Sequence, residues 1–501
     1  MAKTEQNCCV LTLPLLTEPW QEHIIETRFR IMEQLKNALI AKELRKLENL
    51  KRTREWKRLM KAIRDTKDEK EKNKLFKKRT ALLRNSGFSE YEFMNDITPM
   101  QKHYIEHISN KVAHRSASDV WRAFEKYLKY LPSNGRSVRF HRRGSLDSIA
   151  NKYPRGDGMS IDGSIFTWKG GRCENNITLK VRIQHPSTDY ESEMMQKSLR
   201  NMRVVRKWMK TRYKYYLQVT LQGDPVLKHR PIGKDRVGID IGTQTIAWSS
   251  PTEVRLAELA AGIKRNQAEK TALQRKMDRS RRALNPQYFN EDGTIKRLPK
   301  GQRRKWVESK HYLRMKGRVR ELERKNADIR KHEHSVMANH ILSLGNEIFI
   351  EDMRWTDYTR RAKETKKDKN GRYVRKKRFG KSIANRAPGM FMLILQQKCK
   401  TAGAIYSEVD KKSFKASQYD HFTDSFRKKP LSKRWNHLDG TDNIQRDLYS
   451  AFLLMNSKPS LSETDRENCL KTYSNFKTLH DHEIERLRNE DRKHLGSMGI
   501  S

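Results

Sequence analysis

The chain has 501 residues, of which 35% are hydrophobic and 33% charged, and its formal net charge at pH 7 is +47. This length allows two to four domains, and the composition is typical of a folded, strongly solvated protein rather than a disordered one. No run of about 18 apolar residues occurs, which excludes a bilayer-spanning helix. A chain this basic repels itself unless a polyanion neutralises it, so nucleic acid is the expected partner, with an anionic membrane as the alternative.

The five cysteines are scattered, and no Cys-x-x-Cys pair occurs in the chain. This pattern indicates a reducing compartment without a disulfide framework, and it excludes a zinc site made of four cysteines. The apolar run near the N-terminus is too short for a secretory signal peptide. We therefore expect a cytoplasmic protein.

The first part of the chain is predicted to be mainly helical. Residues 1–16 are expected to supply one strand, and apolar residues at helical spacing predict a helix over residues 17–84. Capping signals start further helices, the last of them at 116–131. Residues 17–131 therefore form a predicted helical lobe.

Two changes of pattern follow along the chain. Residues 132–235 contain short β-branched or aromatic stretches separated by Gly, Asn and Pro, which are typical of antiparallel strands in a small barrel or sandwich. Over residues 236–410, strands alternate with long basic helices. A polar loop without cysteine is predicted at 411–438, and residues 439–501 are expected to add a helix and a charged, peripheral helical tail.

Two predicted strands of the alternating region each contain an acid. In "VGIDIGTQTIAWSS", Asp240 points to the face opposite its apolar neighbours, and Gly238 and Gly242 leave room beside it for a ligand or a backbone. In "EIFIED", Glu351 lies at the C-terminal end of the strand, where sites on sheets usually occur. Both acids are therefore candidates for a shared site.

A helix supplies the third candidate. Asp447, Ser450, Ala451 and Leu454 have the spacing of one helical stripe, and a small residue in that stripe lets the helix lie close to a sheet. Converging carboxylates repel one another and lose hydration, and a divalent cation removes that cost. Oxygen ligands favour Mg²⁺ or Mn²⁺ over zinc, and such cations would bind a scissile phosphate and polarise a water. Any one of these acids alone is more often a cap or an ion-pair partner.

At these residues the chain resembles the RNA-guided nucleases of the TnpB and compact type V CRISPR-effector group. "GIDIGTQTIAWSS" resembles their first RuvC motif, "IFIEDMRW" their second and "QRDLYSAFLL" their third, and the three occur in the same order and spacing. The segment with "SASDVWRAFEKYL" and "SVRFHRRGSLDSI" is similar to the passage from their helical recognition lobe into the β-rich wedge domain. The resemblance covers most of residues 90–456.

The resemblance implies a two-lobed α+β protein with a helical recognition lobe, a β-barrel wedge domain that includes the strand at 1–16, and an RNase H-like (RuvC) nuclease domain with a mixed sheet. It implies Asp240, Glu351 and Asp447 as the catalytic, metal-binding residues. The implied partners are a guide RNA and target double-stranded DNA, selected by guide pairing and a short flanking motif. It also implies a prokaryotic protein that joins the nucleoid when bound to its target. No membrane partner is expected, and monomer and dimer both stay open.

The chain departs from the group's pattern at two places. Tyr449 takes the place of an Asn in the third motif, so Asp442, in a turn-like stretch, stays an alternative to Asp447 as the third acid. The group commonly has a zinc finger between its second and third motifs, and the cysteine-free loop takes its place here. His421 and His437 are the candidate ligands in that loop, and two histidines do not close a zinc site, so no zinc is expected.

Basic residues supply the other functional signal. The aromatic residues within 208–216 alternate with Lys and Arg, which fits base stacking and phosphate contacts, or equally a strand with an aromatic core face and a solvated basic face. "KMDRSRR" at 276–282 fits contacts with a guide–target heteroduplex, or a solvated helix face. The residues predicted to bind nucleic acid are Arg142, Arg143, Lys207, Lys210, Arg212, Lys276, Arg279, Arg281 and Arg282.

Two other functions stay open beside the leading interpretation, an RNA-guided, metal-dependent endodeoxyribonuclease. A nuclease-inactive RNA-guided repressor would bind DNA without cutting it, and the presence of all three acids argues against this function. A transposase with an RNase H-like core would join DNA ends without a guide. The transposase would therefore contain no bound RNA, which separates it from both other functions.

Overall fold

The computed structural model of the chain describes residues 7–129, 138–153, 158–184, 188–226, 231–299, 301–360, 379–430, 432–438, 442–492 and 494–500. In these residues helices are combined with several β-sheets, and the chain divides into two compact units, Met1–Val226 and Leu227–Ser501. None of the helices in these ranges combines the length and the apolar composition that a membrane span needs.

The first unit combines helices with an antiparallel sheet. Its strands are β1 (Cys8–Leu16), β2 (Ser148–Ala150), β3 (Met159–Asp162), β4 (Ile165–Lys169), β5 (Thr178–Ile183), β6 (Leu199–Met209) and β7 (Arg212–Gln222). Its helices are α1 (Pro19–Arg52), α2 (Arg54–Asp65), α3 (Glu69–Asn85), α4 (Glu90–Lys102), α5 (Asn110–Lys129) and α6 (Asp189–Met195). The single helix predicted over 17–84 is divided into three, because the side-chain oxygens of Thr53 and Asp68 cap new starts at α2 and α3.

The strands of this unit lie in the order β2-β6-β7-β1-β5-β4-β3, and all neighbours are antiparallel, as predicted. Leu11 and Leu13 of β1 are buried in one core with Ile25 and Phe29 of α1. The N-terminal strand is therefore central to the sheet. Among the residues that the structure describes, no ladder joins the end strands β2 and β3, so strand pairing does not close the predicted barrel there.

The second unit alternates strands and helices, as its sequence pattern predicts. Its strands are β8 (Asp235–Ile241), β9 (Thr245–Ser249), β10 (Val254–Glu258), β11 (Gly345–Glu351), β12 (Ile405–Val409), β13 (Tyr419–Asp420), β14 (Ser425–Phe426), β15 (Trp435–Leu438) and β16 (Asp442–Gln445). Its helices are α7 (Lys264–Leu284), α8 (Lys310–Leu344), α9 (Trp355–Thr359), α10 (Gly380–Arg386), α11 (Pro388–Ala402), α12 (Lys411–Phe414), α13 (Arg446–Met455) and α14 (Arg466–Asn489).

A five-stranded mixed sheet in the order β10-β9-β8-β11-β12 forms the centre of this unit. β8, β11 and β12 are parallel, and β9 and β10 are antiparallel to their neighbours. Val237 and Ile239 point to one face and share a core with Ile341 of α8 and Phe391 of α11. Phe349 points to the other face, where α13 and α14 pack. Both faces are covered, which explains why the centres of β8 and β11, at 237–239 and 348–350, contain no polar side chain.

The segment predicted as a loop at 411–438 is partly folded, which corrects that prediction. It contains α12, the small hairpin of β13 and β14, and strand β15. Phe414, Tyr419 and Leu438 are buried in the core beside α13. Apolar side chains spaced through a polar sequence were enough to fold this segment onto the unit.

The tail helix α14 is also not peripheral. Phe476 and Leu487 are buried in the same core as α13. A carboxylate oxygen of Glu483 accepts a hydrogen bond of 2.9 Å from the backbone nitrogen of Leu256 in β10. Because the tail is rich in charged residues, its sequence did not reveal the apolar stripe with which α14 covers the sheet.

Candidate active site

Asp240 and Glu351 lie at the C-terminal ends of two neighbouring parallel strands. In the ladder between β8 and β11, Ile239 pairs with Ile350, and each acid is the next residue on its strand. Neighbouring strands are about 4.8 Å apart, and side chains alternate between the two faces. The two acids therefore lie side by side on the face opposite these isoleucines, which is the face that α13 covers.

Helix α13 lies directly on β8 because a glycine occupies the crossing point. A Cβ atom on Gly238 would lie 2.1 Å from the carbonyl oxygen of Ala451 and 2.2 Å from the backbone nitrogen of Met455. The room that Gly238 leaves is therefore filled by a helix backbone rather than by a ligand. At Gly242 a Cβ atom would lie 3.1 Å from Oγ1 of Thr245, in the tight turn into β9.

Asp447 is the single residue of α13 that is not fully buried. The other nine residues of this ten-residue helix are buried, and the Asp447 side chain is 15% exposed. The helix begins after Gln445, whose side chain accepts a hydrogen bond of 2.8 Å from the backbone nitrogen of Leu448. Packing around the whole helix therefore fixes the position of its one accessible acid.

The three predicted acids act on one another electrostatically. The pKa of the partly buried Asp240 is raised well above its usual range by burial, and further by the negative charges of Asp447 and Glu351. Arg446 and the hydroxyl of Ser450 oppose this rise in the pKa. A neighbouring negative charge disfavours ionisation of a carboxyl group. The structure thus brings the two strand acids and the helix acid into one cluster.

Asp447 forms an ion pair with the residue before it. Arg446 donates to Oδ1 of Asp447 from Nε at 3.2 Å and from Nη2 at 3.1 Å. Both bonds end on Oδ1, and no residue that the structure describes donates a hydrogen bond to Oδ2. Our reading of the sequence missed Arg446, although a basic residue directly before the third acid was the available signal. The side chain of Asp442, the alternative third acid, lies outside the described part of the chain.

The donors suit a hard divalent cation in their chemistry, because all of them are oxygens. Beside the three carboxylates, the buried Oγ of Ser450 faces Asp240 and has no hydrogen-bond partner of normal geometry among the described residues. The side chains are not gathered around a single point, since no three Asp, Glu, His or Cys residues in the described ranges are placed to hold one metal ion. The three acids therefore repel one another electrostatically, but they do not form a preformed metal-binding site.

The two histidines of the 411–438 segment occupy different environments. His421 is fully buried, its Nδ1 lies 2.7 Å from the hydroxyl oxygen of Tyr449, and its backbone nitrogen donates to the same oxygen at 3.1 Å. Burial lowers the pKa of His421 to about 4. His437 is exposed on β15. His421 is thus bound to Tyr449, the residue that takes the place of the expected Asn.

Eight of the nine residues predicted to bind nucleic acid are exposed, and Arg281 is the exception. Its guanidinium lies 5.0 Å from the centre of the Trp306 ring and donates to the hydroxyl of Tyr312. Contacts within the protein therefore occupy part of the hydrogen-bonding capacity of Arg281. The exposed residues are Arg142, Arg143, Lys207, Lys210, Arg212, Lys276, Arg279 and Arg282.

The aromatic and basic stretch in β6 and β7 belongs partly to the core. Arg206 and Tyr215 are buried, and both bond to the carboxylate of Glu26, the tyrosine at 3.0 Å. The rings of Trp208 and Tyr213 form a cross-strand pair with centres 5.0 Å apart. One face of this hairpin is therefore structural, while the exposed lysines and arginines lie on the other side and at its turn.

Comparison with solved structures gives matches that include two Cas12f complexes. No family model and no curated protein matches the chain. A cryo-EM structure of a Cas12f1–sgRNA–target DNA complex is similar to it with a TM-score of 0.47 and 13% identity, covering 91% of this chain and 99% of that one. A CRISPR–Cas12f ternary complex has a TM-score of 0.29 and 11% identity, covering 88% of this chain and 82% of that one. Cas12f proteins belong to the group that the motifs resemble, but likenesses below a TM-score of 0.5 say nothing about the activity of this chain.

Proposed function

We propose that the chain is an RNA-guided DNA endonuclease that hydrolyses phosphodiester bonds with divalent cations. The second unit would be an RNase H-like nuclease domain. The helical and β-rich parts of the first unit would hold the guide RNA and open the DNA, in a two-lobed protein. Guide pairing would select the target, and the protein would read a short flanking motif and the shape of the heteroduplex.

The observation that supports this proposal most is the position of Asp240 and Glu351, side by side at the ends of β8 and β11 on the face that α13 covers. Burial and the charges of Asp447 and Glu351 raise the pKa of Asp240, so three acids act on one another in a chain with a net charge of +47. Such repulsion is relieved when divalent cations bind the carboxylates. The order strand acid, strand acid, helix acid is also that of the motifs that the chain resembles.

Each residue of the cluster has a separate role in this proposal. Asp240, Glu351 and Asp447 would hold the cations. When bound, Mg²⁺ or Mn²⁺ would polarise the scissile phosphate and activate a water for attack. Ser450 would orient the carboxyl of Asp240, and Arg446 would hold Oδ1 of Asp447, which leaves Oδ2 for the cations.

Nucleic-acid binding would rest on the exposed basic residues. Lys276 and Arg279 of α7 and Lys207 and Arg212 of the β6–β7 hairpin present cationic side chains on regular elements. Such side chains neutralise phosphates along a duplex and fix its register without reading its sequence. We therefore expect binding of guide and target that weakens steeply as the salt concentration rises.

The direct test uses the purified chain with the RNA that copurifies with it and a DNA target matched to that RNA. Asp240→Ala should reduce Mg²⁺-dependent cleavage by at least about 1,000-fold, because it removes a cation ligand. RNA binding should be unchanged. Asp235→Ala, at the exposed start of the same strand, is the matched control and should cut normally. Normal cutting by Asp240→Ala, or loss of RNA binding with it, would contradict the proposal.

Sequencing the copurified nucleic acid separates the alternatives. A discrete RNA with cleavage of the matched DNA supports the nuclease, and a discrete RNA without cleavage would identify a guided repressor. Absence of RNA with specific binding of DNA ends would identify a transposase. Zinc chelation should leave cleavage intact, since His421 is bound to Tyr449.

A further inference from the structure

We propose that His421 and Tyr449 form a metal-free tie that positions α13, and with it Asp447, from the side opposite the sheet. We call the contact between these two residues the tie. Both residues would act through the position of α13 and not on the reacting atoms, so they are positioning residues rather than catalytic ones. The consequence for cleavage rests on the proposed function, whereas the mechanical part of the inference does not.

Two short contacts make up the tie. The hydroxyl oxygen of Tyr449 accepts the backbone N–H of His421 at 3.1 Å and lies 2.7 Å from Nδ1 of the same residue. A tyrosine hydroxyl can both accept and donate, and a neutral imidazole nitrogen does one or the other according to its tautomer. Tyr449 therefore bonds both the backbone and the imidazole of His421. Two bonds converge on one buried hydroxyl.

Burial keeps the imidazole of the tie neutral. His421 is 0% exposed and Tyr449 is 1% exposed. Burial lowers the pKa of His421 to about 4, so its imidazole is neutral at ordinary pH. The other ring nitrogen, Nε2, is buried without a hydrogen-bond partner among the described residues. An unpaired buried polar atom is costly, which indicates that the remaining contacts of this side chain outweigh that cost.

Further contacts hold His421 in place. Arg466, in the first turn of α14, donates from Nε to the carbonyl oxygen of His421 at 2.8 Å and from Nη2 to that of Phe422 at 3.0 Å. The imidazole centre lies 4.2 Å from the ring centre of Phe422, 5.1 Å from that of Tyr473 and 5.9 Å from that of Phe452. The segment is therefore anchored to α13 and α14 through one enclosed residue.

The tie lies on the correct side of α13 to position its acid. Successive residues of a helix are rotated by about 100°, so Tyr449 points about 200° away from Asp447. Ala451 lies on the side of Asp447 and packs against Gly238 of β8. α13 is thus held between the sheet on one side and His421 on the other. Without the second contact, packing on the sheet and on α14 would still hold the helix, but we expect larger excursions of its position on β8.

The mechanical part is tested by amide hydrogen exchange in the full chain without nucleic acid or metal. Tyr449→Phe should make the backbone amides of α13 exchange about 10-fold faster, because a buried acceptor and donor are lost. Tyr419→Phe is the matched control: it removes a hydroxyl from the same segment, but one that bonds Asp424 within the hairpin at 2.8 Å. It should leave exchange in α13 unchanged.

A pair of substitutions at His421 separates the hydrogen bond from the bulk of the side chain. His421→Asn keeps an acceptor near the position of Nδ1 and should retain slow exchange in α13. His421→Leu keeps volume without an acceptor and should match Tyr449→Phe. Loss of cooperative unfolding in both His421→Leu and Tyr449→Phe, with cooperative unfolding retained in His421→Asn, would also support the tie. Equal exchange in α13 for the asparagine and leucine variants, or wild-type exchange in Tyr449→Phe, would overturn it.

The functional part is measured as the Mn²⁺ concentration that gives half-maximal cleavage. Tyr449→Phe should raise this concentration about threefold or more with little change in RNA binding, because Asp447 is less well placed. A loss of stability alone would lower the amount of active protein without moving the half-saturating concentration. An unchanged value would overturn the positioning role. If Asp240→Ala still cuts DNA, the proposed function is wrong. The hydrogen-exchange measurements test the tie independently of that result.

Discussion

Helices α13 and α7 hold functional side chains in opposite ways. α13 has ten residues, nine of them buried, and exposes a single acid at its start. α7 has 21 residues, of which Lys270 alone is buried, and exposes a row of cations. The first helix is fixed by close packing on a glycine of β8, the second by polar pairs such as the 2.7 Å ion pair of Lys270 with Glu323 on α8.

This difference shows which functional side chains must be positioned accurately. A cluster of acids that must share cations tolerates little displacement, and close packing supplies that accuracy. Phosphate contacts are long-ranged and tolerate displacement, so a solvated helix with weak surface pairs, each contributing about 0–1 kcal/mol, is sufficient. Substitutions around α13 should therefore affect stability far more than substitutions on the outer face of α7.

The largest effect is expected at the crossing of α13 and β8. Gly238→Ala places a methyl group 2.1 Å from the carbonyl oxygen of Ala451, and backbone atoms cannot move aside cheaply. We expect the free energy of unfolding to fall by at least about 3 kcal/mol. Thermal and urea unfolding of the purified protein would measure this change.

The matched glycine lies at an exposed position of α8. A Cβ atom on Gly317 would meet nothing within 4 Å, so Gly317→Ala should be neutral or raise the free energy of unfolding by about 0.5–1 kcal/mol. Equal effects of the two substitutions would break the comparison between packed and solvated helix surfaces.

A second effect is a change in the pH dependence of stability at Asp240. Folding raises the pKa of this carboxyl, so the unfolded chain releases its proton at lower pH than the folded chain. The free energy of unfolding contributed by this residue is therefore lost as the pH rises above the unfolded value of about 3.9. Without divalent cations, Asp240→Asn should melt about 2 °C or more above wild type at pH 7, and the difference should shrink at pH 4. A less stable asparagine variant at pH 7 would show that the charge of Asp240 is already compensated.

The smallest effects are expected on α7. Replacing the exposed Lys276 and Arg279 by Ala should leave the melting temperature unchanged and weaken RNA binding, with the slope of log affinity against log salt reduced by about 1 per residue. Arg281→Ala should instead lower the melting temperature, because Arg281 packs on Trp306 and bonds Tyr312. Binding measured at several salt concentrations checks the first expectation, and equal behaviour of the two kinds of variant would contradict it.

The acids were predictable because their signals are local. Strand alternation around Asp240, the strand end at Glu351 and the helical stripe from Asp447 to Leu454 each follow from periodicities of two and 3.6 residues. The structure places these residues in one cluster as those periodicities imply. Which element would use the room beside Gly238 could not be predicted, because that depends on how α13 crosses the sheet.

The errors concern segments whose fold depends on distant partners. The stretch 411–438 reads as a polar loop, but Tyr419 and Leu438 find a core made by helices later in the chain. His421 was considered only as a candidate ligand of a zinc site that two histidines cannot close, and its partner Tyr449, 28 residues away, was not predicted. Likewise, the polar composition of α14 outweighed its apolar stripe. Tertiary contacts of this kind leave little trace in local sequence patterns.

Binding of Mn²⁺ to the purified chain, followed by isothermal titration in the absence of DNA, tests the central claim most directly. We expect binding by the wild-type protein, loss of that binding in Asp240→Asn, and normal binding in Asp235→Asn at the other end of β8. Wild-type binding by Asp240→Asn would contradict a shared cation site at Asp240, Glu351 and Asp447.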